Sequence, residues 1–352
     1  MIRFVGVLLF VAVAFGADWN PELAARYLDS RQQAWFAWPR AKAVGGTCFS
    51  CHTGATYLLA RPALRWALGE SEPVSYETAL RNALVARVQY RDAKDGPLGA
   101  QALGVEAVFA ALFLAPGNDG QPLNADVQAA FDRLWALQIQ DGPAKGAWSW
   151  FQLGRDPYEM PDSVYYGATL AALASGRTPP SYRGEPQVRT HIQELSEYLA
   201  RGRESQPLHN RLMALWASTA LPDVLAPAAR RSTIAEVWDK QSSDGGWTIQ
   251  SLGPWKEHPK APASTGTNSY ATGLAAFVLS AAGVPRSDSR LARAVNWLAS
   301  HQDRQTGSWA ADSMNKEYPP GSMEKGFMRD AATAFASMAL AQTAEKNGAG
   351  NH

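Results

Sequence analysis

The amino-acid sequence predicts an all-α fold, an (α/α)6 toroid of six helical hairpins. Three observations predict it. Apolar residues recur at three- and four-residue spacing between clusters of Pro, Gly, Asn and Asp. Few runs show the β-branched alternation of strands. The helical segments also alternate strictly between two kinds. One kind is amphipathic and charged: 21–38, 75–91, 124–140, 187–203, 227–241 and 287–302. The other is small and apolar, rich in Ala, Gly, Thr and Leu: 50–68, 99–115, 162–176, 208–220, 267–282 and 329–344. A helix apolar on all sides must be surrounded by protein, and an amphipathic one covers it from outside. Six around six describes a ring in which every inner helix starts at the same end, where loops and helix N-termini converge on a central cavity. An open solenoid of helical pairs is the alternative.

Taken in order, the chain starts with a leader. Arg3 precedes a 12-residue apolar stretch, Phe4 to Phe15, too short to span a bilayer, and Ala14 and Gly16 sit at positions -3 and -1 of a cleavage site. Residues 1–16 are therefore expected to be a signal peptide, 17–346 the toroid and 347–352 a disordered tail. The protein is expected to be exported, to a periplasm, with no membrane span after cleavage. Cleavage leaves 32 charges of each sign, a balance that argues against a nucleic-acid surface. With 46% hydrophobic and 18% charged residues, the 352-residue chain has enough apolar surface to fold as a globule.

The later hairpins repeat. Trp238 leads to Gln241-Ser-Ser-Asp244-Gly245-Gly246-Trp247, and Trp297 to Gln302 and Gly307-Ser308-Trp309. An older copy runs Trp135, Gln138, Gln140-Asp141-Gly142, Gly146-Ala147-Trp148. Each precedes an Ala-rich inner helix. This Gln-x3–4-Gly-x-Trp pattern resembles the QW motif of the terpenoid cyclase and protein prenyltransferase toroid superfamily, as in squalene–hopene cyclase, from about residue 130 onward. The resemblance implies the toroid fold, with the Gln tying a helix end to the next turn and the Trp packing on it. It implies no cyclase chemistry. The Asp-x-Asp-Asp acid motif is missing, no two Asp are adjacent, and both cysteines lie in the first hairpin rather than in a late zinc site.

The chemistry lies in Gly46-Thr47-Cys48-Phe49-Ser50-Cys51-His52-Thr53-Gly54. Cys-x-x-Cys-His is the attachment sequence of c-type haem. Two thiols about one helical turn apart can each bond a vinyl group on one haem edge, and the adjacent imidazole then faces the iron. Cys48 is expected before the helix, with Cys51 and His52 in its first turn. A Cys48–Cys51 disulfide, a thioredoxin-like pair and a zinc site compete, the last two lacking a βαβ context and further ligands. Haem c is the favoured cofactor. Cys51-His52-Thr53-Gly54-Ala55-Thr56 aligns with Val164-Tyr165-Tyr166-Gly167-Ala168-Thr169, so the site belongs to an inner-helix N-terminus.

Loops expected at the same mouth carry Met160, His209, His258, Met314, Met323 and Met328 as sixth-ligand candidates, with Met160 and His258 preferred because they sit just before inner helices. Glu106, in the apolar Leu103–Phe109 run, is either a desolvated acid–base group or the partner of an Arg. Asp162 and Asp330 are expected as helix N-caps or as its catalytic companions. Asn210-Arg211 could hold a haem propionate or form an interhelical salt bridge, and Tyr165, Tyr166 and Tyr270 are expected to line the cavity. The sequence thus predicts an exported haem c protein for electron transfer or oxidoreduction, with a periplasmic redox partner. Two alternatives remain: a haem-free toroid binding a small apolar or sugar-like ligand, and an acid–base enzyme of hydrolase type.

Overall fold

The computed structural model describes residues 19–43, 46–89, 97–116 and 122–343; the expected leader and tail lie outside the described residues. The fold is all-α. Twelve helices fall on the twelve predicted segments: α1 Pro21–Ala37, α2 Thr53–Leu68, α3 Ser75–Gln89, α4 Pro97–Leu114, α5 Ala125–Ala136, α6 Ser163–Gly176, α8 Pro186–Gly202, α9 Leu208–Ala220, α10 Pro227–Asp239, α11 Ser269–Ala281, α12 Ser289–Ser300 and α13 Phe327–Thr343. A single turn, α7 (Pro180–Arg183), precedes α8, and a two-residue antiparallel pair joins β1 (Lys42–Ala43) to β2 (Gly46–Thr47). Among the described residues no helix is long and apolar enough to cross a membrane.

The two kinds of helix differ in burial as their composition requires. In α6, α11 and α13 buried residues run along nearly the whole helix. In α8 only Val188, Leu195 and Leu199 are buried, one stripe at helical spacing. The apolar helices pack on one another: α13 on α11 and α2, α9 on α6 and α11, and α6 on α4. Phe49, ahead of α2, meets Phe109 and Phe113 of α4 with ring centroids 5.6 and 5.4 Å apart. The charged helices pack on these, α1 on α2, α5 on α4, α8 on α6, α10 on α9 and α12 on α11. Small residues permit the close approach. A Cβ on Gly273 of α11 would lie 2.7 Å from the Ala336 backbone nitrogen of α13.

The three Gln-Gly-Trp copies have one geometry. The indole nitrogens of Trp148, Trp247 and Trp309 donate to the carbonyls of Leu134, Val237 and Leu298 at 2.7, 2.7 and 2.8 Å. All three indoles are fully buried. The amides of Gln138, Gln241 and Gln302 donate to the carbonyls of Gly146, Gly245 and Gly307. Those glycines have φ of 92°, 102° and 78°, a region that favours glycine. Each Gln also donates to a second carbonyl in the next charged hairpin arm: His191 of α8, Arg290 of α12 and, for Gln302, Asn20 at the start of α1. The last copy therefore binds the first helix. Asn20 in turn caps α1 by accepting from the Leu23 N–H, and its own N–H donates to Gln302 Oε1 at 2.6 Å.

Candidate functional site

The Cys-x-x-Cys-His segment leaves β2 and turns sharply into α2. The Cys48 N–H donates to the Ala41 carbonyl at 2.6 Å, and the Cys48 carbonyl accepts from the Trp35 indole at 2.7 Å. Ser50 then adopts φ 69°, uncommon for a residue other than glycine. Its hydroxyl accepts from the Thr53 N–H at 2.9 Å and its carbonyl from the Ala55 N–H. Those two bonds hold the turn and start the helix at Thr53, later than the sequence suggested. Cys51 and His52 consequently lie in the turn ahead of α2 rather than in its first turn. With Ser50 doing the capping, the His52 side chain makes no cap hydrogen bond.

Both cysteines are free thiols, Cys48 exposed and Cys51 half-buried, so the disulfide alternative is not formed here. Burial pushes the Cys51 thiol up, reinforced by the Cys48 thiol and by the Glu159 and Glu106 carboxylates.

His52 opens onto a cavity of about 330 Å³. Its ring stacks on Phe327, the first residue of α13, at 4.6 Å and 16°. Its Nε2 meets Glu159 Oε1 at 3.4 Å. The cavity has aromatic walls, Trp35, Trp38, Tyr158, Tyr318 and Phe327, and three cationic side chains, Arg40, Arg155 and Lys316. Glu159 also meets Arg155 at 3.4 Å. Burial would raise the Glu159 carboxyl, but His52, followed by Arg155, holds it below the usual carboxylate range.

The same loop, 153–162, carries Asp156, whose carboxylate accepts from His258 Nε2 and from the Lys256 N–H, each at 3.1 Å. Asn315 fixes the loop by bonding both the N–H and the carbonyl of Asp156 at 2.8 Å. Burial raises the Asp156 carboxyl, against the lowering effect of His258.

Of the sixth-ligand candidates, Met328 lines the His52 cavity. Met160 and His258 do not: Met160 lines neither this cavity nor its neighbour, and His258 faces the neighbouring one while bonded to Asp156. Met314 lines that neighbouring cavity too. The Met323 sulfur accepts from Arg31 Nη1 at 3.3 Å. His209 is fully buried in α9, its Nδ1 against Asn210 and its Nε2 against the Tyr270 hydroxyl, and burial pushes its pKa down to about 4, opposed by the Asn210 bond. It is a core histidine, not a mouth residue.

The three carboxylates proposed for acid–base work do not meet, and no hydrogen bond joins any two of them among the described residues. Glu106 pairs with Arg87 of α3. Asp330 lies inside the first turn of α13, since that helix starts three residues earlier, and is no N-cap. Fully buried, it accepts from Arg31 Nε at 2.7 Å, the Tyr27 hydroxyl at 2.9 Å and the Thr53 hydroxyl at 2.9 Å, fastening α13 to α1 and α2. Asp162 occupies the cap position of α6 but makes no side-chain cap bond; burial raises its carboxyl, reinforced by Asp156. Arg211 forms the interhelical bridge, with Glu236 of α10 at 2.5 and 2.7 Å, and Asn210 bonds Gln206 and the Asp162 carbonyl, so neither reaches for a propionate. Tyr165 donates to the Leu199 carbonyl, Tyr166 and Tyr270 are packed inside, and Tyr158 donates to Tyr270 at 2.7 Å.

Glu159, Arg155, Asp156 and Phe327 were not singled out by sequence reasoning. The available signal was the density of charged and aromatic residues in Arg155-Asp156-Pro157-Tyr158-Glu159, inside a loop otherwise marked by Gly and Pro. No family model matches the chain, and no curated protein matches it.

Proposed function

We propose that this chain is an exported, haem c-bearing (α/α)6 toroid, retained in a periplasm after removal of residues 1–16, that transfers electrons or carries out oxidoreduction with a redox partner at its cavity mouth. The observation that carries the reading is the Cys-x-x-Cys-His turn itself: two unpaired thiols in the turn whose imidazole, His52, lines an aromatic cavity. Ring closure is supported by Gln302 and Asp330, which both tie the last hairpin to the first.

The residues fit the group. Cys48 and Cys51 would form the thioethers, and His52 would supply the proximal imidazole. Of the cations on the cavity, Arg40 pairs with Glu324 and Arg155 with Glu159, which leaves Lys316 as the one that would meet a propionate. The aromatic walls offer apolar surface, and Met328 is the thioether placed on the same cavity as His52. Bound there, an iron porphyrin supplies one-electron exchange. At 330 Å³ the cavity is at the small end for an organic ligand, about 300 to 1,000 Å³, and would hold part of a porphyrin. His52 Nε2 must leave Glu159 to serve as a ligand. Arg155 then remains as the partner that keeps that carboxylate charged in place.

The test is a pyridine haemochrome spectrum and a denaturing haem stain on protein exported from a host with haem c maturation machinery. A c-type spectrum that survives denaturation and disappears in the Cys48→Ala, Cys51→Ala double variant is expected. Colourless protein with free thiols overturns the reading. It would favour the second one, a haem-free cavity-binding module, to which the His52–Glu159 contact belongs naturally: a carboxylate orients an imidazole toward a small ligand.

A further inference from the structure

A second cavity, about 420 Å³, opens beside the first and shares Ser313 and Met328 with it. His258 lines it. The imidazole uses Nε2 on the buried Asp156 carboxylate, and a carboxylate accepts only, so Nε2 carries the proton and Nδ1 the lone pair. That Nδ1 makes no hydrogen bond among the described residues. Asp156 cannot turn away, because Asn315 clamps its backbone on both sides and the Lys256 N–H holds the carboxylate. A cavity-lining histidine whose tautomer is fixed by a buried carboxylate and whose other nitrogen is uncommitted is a hydrogen-bond acceptor awaiting a donor.

The walls specify the rest of the donor. Trp255 has its indole N–H committed to the Ile249 carbonyl at 2.6 Å and its ring edge-to-face with His209 at 5.7 Å, so it offers only ring surface. Met314 and Met328 add two thioethers, which favour contact with an aromatic ring. We propose that this cavity binds a phenol-like molecule, an aromatic ring carrying a hydroxyl, with the ring among Trp255, Met314 and Met328 and the hydroxyl donating to His258 Nδ1. His258 is the contacting residue and Asp156 its positioning residue. The site stands without the haem assignment, since none of its polar contacts involves Cys48, Cys51 or His52.

The test is calorimetric titration of the full chain with 4-fluorophenol, alongside 4-fluoroanisole, which keeps the ring and replaces the hydroxyl hydrogen by methyl. Saturable one-to-one binding is expected for the phenol, with the anisole, and the phenol on His258→Phe, each weaker by about tenfold, the loss of one hydrogen bond. Asp156→Asn keeps a side chain of the same size but lets the imidazole change tautomer, and should weaken the phenol while leaving the anisole unchanged. Repeating the titration on the Cys48→Ala, Cys51→Ala variant should give the same binding, which separates this site from the haem reading. No saturable phenol binding overturns the proposal. So does equal affinity for phenol and anisole, which would make the cavity an apolar pocket with His258 as a bystander.

Discussion

The chain enters α11 and α2 in opposite ways. Ahead of α11, the Gln241–Trp247 turn and the cap at Asn268 are held by their own side chains. Gln241 binds two carbonyls, Trp247 binds Val237, and Asn268 caps α11 by accepting from the Tyr270 and Ala271 N–H groups. Ahead of α2, the turn is held by Ser50 and by backbone bonds from Cys48; Cys48 is exposed, His52 lines the cavity, and Cys51 packs half-buried against the core. The same junction, a loop leading into an apolar helix, is fastened by Gln and Trp side chains in one hairpin and by Ser50 with backbone bonds in the other.

The largest test of that contrast removes one of the fastening side chains. Trp247→Ala takes away a fully buried indole, its hydrogen bond to Val237 and its packing on Trp238 at 5.7 Å. Destabilisation of about 3 to 5 kcal/mol is expected, read as a shift in urea midpoint with unchanged slope. The reactivity of the Cys48 thiol in protein made without haem, followed by alkylation under native conditions, should not change. A loss of stability below about 1 kcal/mol would mean that the QW turn is not the fastening its geometry suggests. A changed Cys48 reactivity would mean that the two junctions are coupled rather than separate.

A sharper test asks whether the repeats close on themselves. Gln302 differs from Gln138 and Gln241 in one respect: its second partner, Asn20, lies 282 residues away at the other end of the chain. Gln302→Ala removes the bonds to Asn20 and Gly307, and a loss of about 1 to 2 kcal/mol is expected. Hydrogen exchange should speed up locally in α1 and in the 303–308 turn. Gln241→Ala, as a control, should loosen α12 instead. If α1 exchanges no faster, Asp330 with Arg31, Tyr27 and Thr53 is sufficient to hold the first hairpin to the last.

How much of this was legible follows from the physics of each feature. Helix positions were readable because the apolar period and the Asn, Pro and Gly punctuation are local. So was the Cys-x-x-Cys-His turn. The partner of each polar group was not, because it comes from elsewhere in the chain. Glu106 looked like a carboxylate in an apolar helix, and only the packing of α3 on α4 brings Arg87 to it. Asp330 looked like an N-cap because nothing in the sequence of Met323–Phe327 says that α13 begins at Phe327 rather than four residues later. Met160 was preferred to Met328 for its place just before an inner helix, and position in the sequence does not say which loop lines the cavity. Glu159, which meets His52 across more than one hundred residues, had only the local crowding of charged and aromatic residues to mark it.

The smallest effect concerns the acid limit of the QW turns. The Thr306 and Gln305 N–H groups donate to the Asp303 carboxylate at 2.8 and 2.9 Å and hold it below the usual range. A depressed folded pKa means that this stabilisation is present above the unfolded value and is lost as pH falls through the folded one. Asp303 is almost wholly exposed, so solvent screening leaves only about 0.3 kcal/mol. Asp303→Asn should therefore be slightly less stable than the parent at neutral pH, and the difference should close as pH drops below about 4, the unfolded Asp value. Measured by urea midpoints from pH 7 to 2.5, converging curves are expected. Curves that stay parallel would show that Asp303 holds its turn through shape rather than charge.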